Sequence, residues 1–316
     1  MYFPKSSRFL LIFIIMSLGI ASTFAHEDEN CPHDVFLHVE EGSALILEVT
    51  CTDEHMMVSS NNMPMYETED FPHGTLTAMP RTWYIPLEPQ LADEPTALPL
   101  MGAVGLIING IQIQGPNAAD RDGYFDPVTN NMLDFCNAHI AGQGEYHYHA
   151  RANCLLDELT ENPDDPTQLV GVILGYGFDG FPILTPYICT NADCSEVTEV
   201  QSSWQLTNPS AINAWEENEF VEGSGDLDQC NGMVQADGSY AYYATDTFPY
   251  FMGCYMGEVE ELNFDPEATR WQGEAQVGMP QGGQQGQPPQ GGQGQQPPPP
   301  GGQGGQQPPP PPGGGN

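Results

Sequence analysis

Apolar and polar residues alternate in short runs along most of this chain, and few runs carry the period of a helix. Ile111-Gln112-Ile113-Gln114 alternates with period two, the pattern of a half-buried strand. Asn109-Gly110 ahead of it is a hairpin-turn dipeptide. Ala44 to Val49 and Thr82 to Ile85 predict two further strands, and Leu169 to Phe178 is a Gly-interrupted apolar run closed by the turn dipeptide Asp179-Gly180. The best helical spacing lies in 209–220, where Ile212, Trp215 and Phe220 fall near one face and Pro209 or Ser210 stands near the start. Short strands with Pro and Gly every few residues predict an all-β, β-sandwich-like, loop-rich fold with one short helix near 209–220.

The two ends read differently. Lys5 and Arg8 precede an apolar stretch from Phe9 to Ile20, and small residues follow up to Ala25. That stretch is too short to span a bilayer and has the layout of a secretory signal peptide over 1–25. Cleavage there would leave His26 first, whose amine and imidazole can chelate copper. From Gln272 onward the composition collapses to Gln, Gly and Pro. Such a tail has no apolar surface to bury and is expected to be disordered over 272–316, with stretches of polyproline II. Between the ends, residues 26–99 are expected to form an N-terminal β region and 100–271 a second region.

Charge and cysteine content narrow the setting. The chain has 43 Asp and Glu against six Lys and Arg, a formal charge of −37. Its field excludes nucleic acid and anionic lipid as partners and favours metal cations or a basic partner such as extracellular matrix. Eight cysteines follow the leader, as expected of a protein that is secreted and extracellular, or periplasmic or on the cell surface. Metal thiolates are the alternative use of these residues.

An internal repeat organises the second region. Residues 134–150, DFCNAHIAGQGEYHYHA, align without a gap on 228–244, DQCNGMVQADGSYAYYA, with seven of seventeen positions identical. Cys136 and Cys230 are equivalent, and each is followed by one later Cys. The expected disulfides are therefore Cys136 with Cys154 and Cys230 with Cys254, leaving Cys189 with Cys194 and Cys31 with Cys51. His139, His147 and His149 of the first copy are Met233, Ala241 and Tyr243 in the second. Residues present in both copies read as scaffold, and the three histidines read as a site added to one.

Side chains alternate faces along a strand, so His147 and His149 would share one face and Tyr146 and Tyr148 the other. His139 joins them only if the hairpin loop is Gly142-Gln143-Gly144 with Gly144 left-handed, which sets His139 opposite His147. A two-residue loop puts it on the wrong face. Three neutral imidazoles suit Zn or Cu, with Asp134, Glu145 or Asp179 as additional candidate ligands. The alternative is ordinary packing of histidines against tyrosines and backbone.

The run Tyr146-His147-Tyr148-His149 resembles the signature of the YHYH-domain proteins. Cys136-Asn137-Ala138-His139 is similar to that family's Cys-Asn/Gly-Gly-His segment. Gly175 to Ile183 is similar to its GYxxDGFPI stretch, and residues 228–257 to its C-terminal block, so the likeness covers roughly 100–257. Two places depart from the pattern: Tyr240-Ala241-Tyr242-Tyr243 lacks the histidines often found there, and Leu-Thr-Pro replaces the usual Tyr-Gly after Ile183. The resemblance implies a secreted domain and no particular reaction.

Asp120-Arg121-Asp122-Gly123-Tyr124-Phe125-Asp126 gathers carboxylates around a Gly, a candidate calcium loop without EF-hand spacing. HExxH, GxSxG, P-loop and GxGxxG motifs are absent from the sequence. The reading is an acidic exported protein that binds a transition metal in a non-catalytic binding or surface role. A metal-dependent extracellular enzyme, a Zn hydrolase or Cu oxidase, is the first alternative, and a structural acidic matrix protein without a metal is the second.

Overall fold

The computed structural model describes residues 31–40, 42–66, 75–119, 123–141 and 143–271. The expected signal peptide, His26, Asp120 to Asp122 of the acidic loop, Gly142 of the hairpin loop and the 272–316 tail lie outside the described residues.

Two sheets carry the fold. Leu47–Cys51, His55–Ser60 and Arg81–Pro86 form a three-stranded antiparallel sheet. The larger sheet has eight strands, in the spatial order Gly232–Val234, Tyr240–Tyr243, Pro182–Leu184, Ile173–Gly177, Ala103–Ile107, Gln112–Gln114, Tyr146–Tyr148, Ala138–Ile140. One core takes Met56, Val58, Trp83 and Ile85 from the small sheet and Leu106, Ile113, Leu174 and Ile183 from the large one. Apolar faces of two sheets closing on each other are what a β-sandwich requires.

The eight-stranded sheet reads the same from either end. Two inner hairpins, 103–114 and 173–184, meet in the middle through Gly175 opposite Ile107, Tyr176 opposite Leu106 and Gly177 opposite Gly105. Each inner hairpin then pairs in parallel with an outer one, Ile113 opposite Tyr148 and Ile183 opposite Tyr242. The outer hairpins are the two sequence repeats. The duplication therefore extends into the inner hairpins, where Gly105, Gly110 and Ile113 correspond to Gly175, Gly180 and Ile183 at a constant offset.

Helix is scarce. The helix expected over 209–220 shrinks to the single turn Ala214–Glu217, capped by the Asn213 side chain accepting from the Trp215 N–H. Residues Asn218–Phe220 instead form a strand against Trp204–Leu206. A second single turn, Leu156–Leu159, had no sequence signal. The strand expected at Ala44 to Val49 lies three residues later, at Leu47–Cys51. Asn61 explains the shift, because its side chain bonds the Ala44 carbonyl and the Ile46 N–H in place of a neighbouring strand.

All eight cysteines are paired as the repeat implied: Cys31–Cys51, Cys136–Cys154, Cys189–Cys194 and Cys230–Cys254. Cys136–Cys154 closes a segment with a sequence separation of 18 around the histidine hairpin. Removing that closure by Cys136→Ser with Cys154→Ser is expected to cost about 3 kcal/mol. Urea unfolding of the double variant measures it, and an unchanged midpoint would contradict the expectation.

Candidate metal centre

The histidine hairpin has the register that brings three imidazoles together. Tyr146 lies opposite Ile140, His147 opposite His139 and Tyr148 opposite Ala138. The loop closes with the Ala141 N–H on the Glu145 carbonyl at 2.8 Å and the Gly144 N–H on the Ala141 carbonyl at 2.8 Å. Gly144 has φ +93°, a conformation that favours glycine. A side chain there would also strike the Thr75 carbonyl, 2.5 Å from an added Cβ.

The Nε2 atoms of His139 and His147 are 2.9 Å apart, and those of His149 and His139 are 3.2 Å apart. One nitrogen from each of the three residues lies within 4.8 Å of the others. Bonds of about 2.0–2.1 Å to one ion separate tetrahedral ligands by about 3.3 Å, so this spacing fits a shared metal. Two rings are oriented from behind by backbone. His147 Nδ1 donates to the Glu145 carbonyl at 3.1 Å and His149 Nδ1 to the Gly115 carbonyl at 2.8 Å. A carbonyl only accepts, so each Nδ1 carries the proton and each Nε2 presents a lone pair inward.

Burial reinforces the neutral forms. His139, His147 and His149 are 7 %, 2 % and 1 % exposed. Burial, then the His149 and His139 rings, holds His147 well below the ordinary imidazole range. Burial, then His139, pulls His149 down to about 3. Neutral imidazole is the form that ligates metal.

The same shift sets a pH dependence for the metal-free protein. An unfolded histidine titrates near 6.5, so below that pH the unfolded chain binds protons that folded His149 and His147 refuse. Stability contributed by these residues is complete above about pH 6.5 and falls as pH drops toward 3, by up to about 1.4 kcal/mol per unit for each group. Urea midpoints at pH 7 and pH 5, for the wild type against His147→Ala with His149→Ala, should show the steeper loss in the wild type. Parallel losses would refute it.

On the opposite face the tyrosines build the scaffold. Tyr146 and Tyr148 are buried in the core. Tyr146 donates to Asp134 Oδ2 at 2.5 Å, while Asp134 Oδ1 accepts from the Cys136 and Ala138 N–H groups. Asn109 Nδ2 donates to the Tyr148 hydroxyl at 2.9 Å. Tyr66 reaches the same hydroxyl at 2.6 Å, and burial pushes its own phenol up to about 12.

The twin hairpin repeats this frame residue for residue. Gly232 lies opposite Tyr242, Met233 opposite Ala241 and Val234 opposite Tyr240. Asp228 accepts from the Cys230 and Gly232 N–H groups and from Tyr240. Tyr242 donates to Asp179, as Asn109 bonds Tyr148. Asn137 and Asn231 share a left-handed backbone, φ 61° and 65°. The largest difference lies on the face opposite the tyrosines. In the twin, Ala241 and Tyr243 pack with Val200 and Leu227, and with Leu184, Ile188 and Met233 at the margin.

The additional candidate ligands are placed elsewhere. Asp134 and Asp179 hold Tyr146 and Tyr242 on the core side. Glu145 meets His147 through its carbonyl. Among the described residues the metal-capable group is His139, His147 and His149 alone. Asp126 of the acidic loop accepts from the Val128 N–H and the Tyr250 hydroxyl, which makes it a turn anchor. Sequence reasoning missed Gly115 and Asn109. A backbone carbonyl leaves no trace in a sequence, but the offset linking Asn109-Gly110 to Asp179-Gly180 was there to find.

A family model described as YHYH protein matches residues 82–257, more than half of the chain and starting upstream of the stretch in which the sequence resemblance was read. The chain belongs to the YHYH protein family. Neither the curated proteins nor the solved structures include a match.

Proposed function

We propose that this member of the YHYH family is an exported protein that binds a copper or zinc ion through His139, His147 and His149, in a binding role. One observation carries the reading: three buried Nε2 atoms converge, two of them with lone pairs directed by carbonyl-bound Nδ1–H groups. Lone pairs facing one another at this distance repel unless a proton or cation stands between them, and one cation serves all three at once. When bound, copper would supply one-electron chemistry and zinc Lewis acidity.

The surroundings favour retention over turnover. The imidazoles are nearly inaccessible, and neither the cleft beside Trp204 and Phe248 nor the one beside Arg81 and Phe264 is lined by one of them. A catalytic ion keeps an open position facing a cleft. The test is elemental analysis of the purified chain. Copper or zinc near one ion per chain supports the reading, and metal-free protein that stays empty after incubation with either ion ends it.

Export rests on the paired cysteines and the apolar leader. Four disulfides suit an oxidising compartment, and no described helix is long and apolar enough to cross a membrane. N-terminal sequencing of protein from the culture medium should start at His26. Protein retained inside the cell with its leader intact would contradict this.

A further inference from the structure

Basic residues are scarce in this chain, six against 43 acidic ones, yet two arginines line one cleft of about 420 Å³. Arg81 and Arg270 stand there with Glu145 as the only carboxylate among the lining residues. The backbone brings the two arginines together. The Thr82 N–H donates to the Thr269 carbonyl at 2.9 Å, and Asn263 fastens the same terminal segment to Tyr84 through both its amide atoms, each at 2.8 Å. Residues 81 and 270 therefore emerge side by side.

Neither guanidinium is firmly committed. Arg81 makes no ion pair among the described residues, and its Nη1 donates only to the adjacent Pro80 carbonyl at 3.3 Å. Arg270 pairs with Glu267 at 2.8 Å, with both side chains more than half exposed. An exposed pair of that kind is weak and exchanges readily. The rest of the lining includes Gln112 and the apolar residues Phe264 and Met101, which are 43 % and 40 % exposed. Apolar groups exposed beside cationic ones match an amphiphilic anion.

We propose that this cleft binds a small organic carboxylate. Arg81 and Arg270 grip the carboxylate, and its apolar body lies against Phe264 and Met101. A guanidinium presents a planar fork of N–H donors that fits a carboxylate in bidentate fashion. Two arginines and Glu145 leave one net positive charge among the lining residues, which suits a monoanion better than a dianionic phosphate ester. The cleft volume lies in the range of small-ligand sites. This site is independent of the metal reading, although Glu145 belongs to both neighbourhoods.

Calorimetry on the full chain tests it, with 3-phenylpropionate as probe and 3-phenylpropionamide and phenyl phosphate as comparisons. The carboxylate should bind saturably, and the amide about tenfold more weakly or worse. Arg81→Gln should weaken carboxylate binding about tenfold, and the exposed Arg270→Gln should weaken it severalfold with no question of folding. Glu267→Gln should strengthen it, because it releases Arg270, a direction that loss of structure does not produce. His147→Ala with His149→Ala should leave it intact. Equal binding of acid and amide, tighter binding of phenyl phosphate, or no saturable binding of the carboxylate would overturn the proposal.

Discussion

Replacing His147 and His149 together by Ala is expected to abolish metal binding, taking the purified protein from about one ion per chain to none. Two of three donors disappear, and the remaining His139 is a lone imidazole at the sheet edge. A single imidazole does not hold zinc or copper at the protein concentrations used for elemental analysis. The loss should also appear as stability. A ligand present at about 100 times its dissociation constant stabilises the folded chain by about 2.7 kcal/mol, so added metal should raise the wild-type melting temperature and leave the double variant unmoved. His33→Ala, which removes an exposed histidine outside the group, is the control and should behave as wild type. Unchanged metal content in the double variant would remove the reading altogether. The hairpin register does not depend on these histidines, because the twin hairpin has the same register with Ala241 at the position of His147 and Tyr243 at that of His149.

That comparison also explains why the site was legible before the structure. The repeat separates residues the hairpin needs from residues the candidate site needs: Asp134, Cys136, Asn137, Tyr146 and Tyr148 recur in the twin, where Asp228 again accepts from the Cys230 N–H and the Tyr240 hydroxyl, and the histidines do not recur. The one open question was register. Gly144 answers it locally, because its left-handed backbone and the Ala141–Glu145 pairing make the three-residue loop that sets His139 opposite His147. Strand alternation then orders the faces.

Long-range partners were not legible. The Gly115 carbonyl that orients His149 is 34 residues away in sequence, and only parallel pairing of the inner and outer hairpins brings it near. The short helix expected near 209–220 is present but reduced to Ala214–Glu217 for a related reason. Trp215 packs against Trp204 and Phe248, and Phe220 against Trp204, so apolar spacing that suggested a helical face is satisfied by a strand partner and one capped turn. Ile212, assigned to that face, is 56 % exposed. Local periodicity lost to tertiary pairing.

Gly175→Ala is expected to destabilise the whole domain by about 3 kcal/mol. This glycine stands where the two halves of the large sheet meet, and an added Cβ would collide with the Leu106 carbonyl oxygen across the strand pair. The obstacle is backbone, which cannot rotate aside as a flexible side chain would. The contact is reciprocal: a Cβ on Gly105 would stand 2.5 Å from the Tyr176 carbonyl oxygen. Relief requires spreading the central pair, and that displaces Leu106, Ile107 and Leu174, all with 0 % exposure. Gly115→Ala is the matched control, since the nearest neighbour of its added Cβ is 4.0 Å away; it should be neutral, or stabilising by about 0.4–1 kcal/mol through the unfolded chain. Chemical unfolding of both variants decides the matter, and equal midpoints would show that the halves do not depend on close approach at the centre. The effect on metal should lag the effect on stability. Gly175 pairs within the inner hairpins, with two strands between its own and that of His147 in the sheet order, so Gly175→Ala should still load metal at low temperature and lose it only as the sheet unfolds.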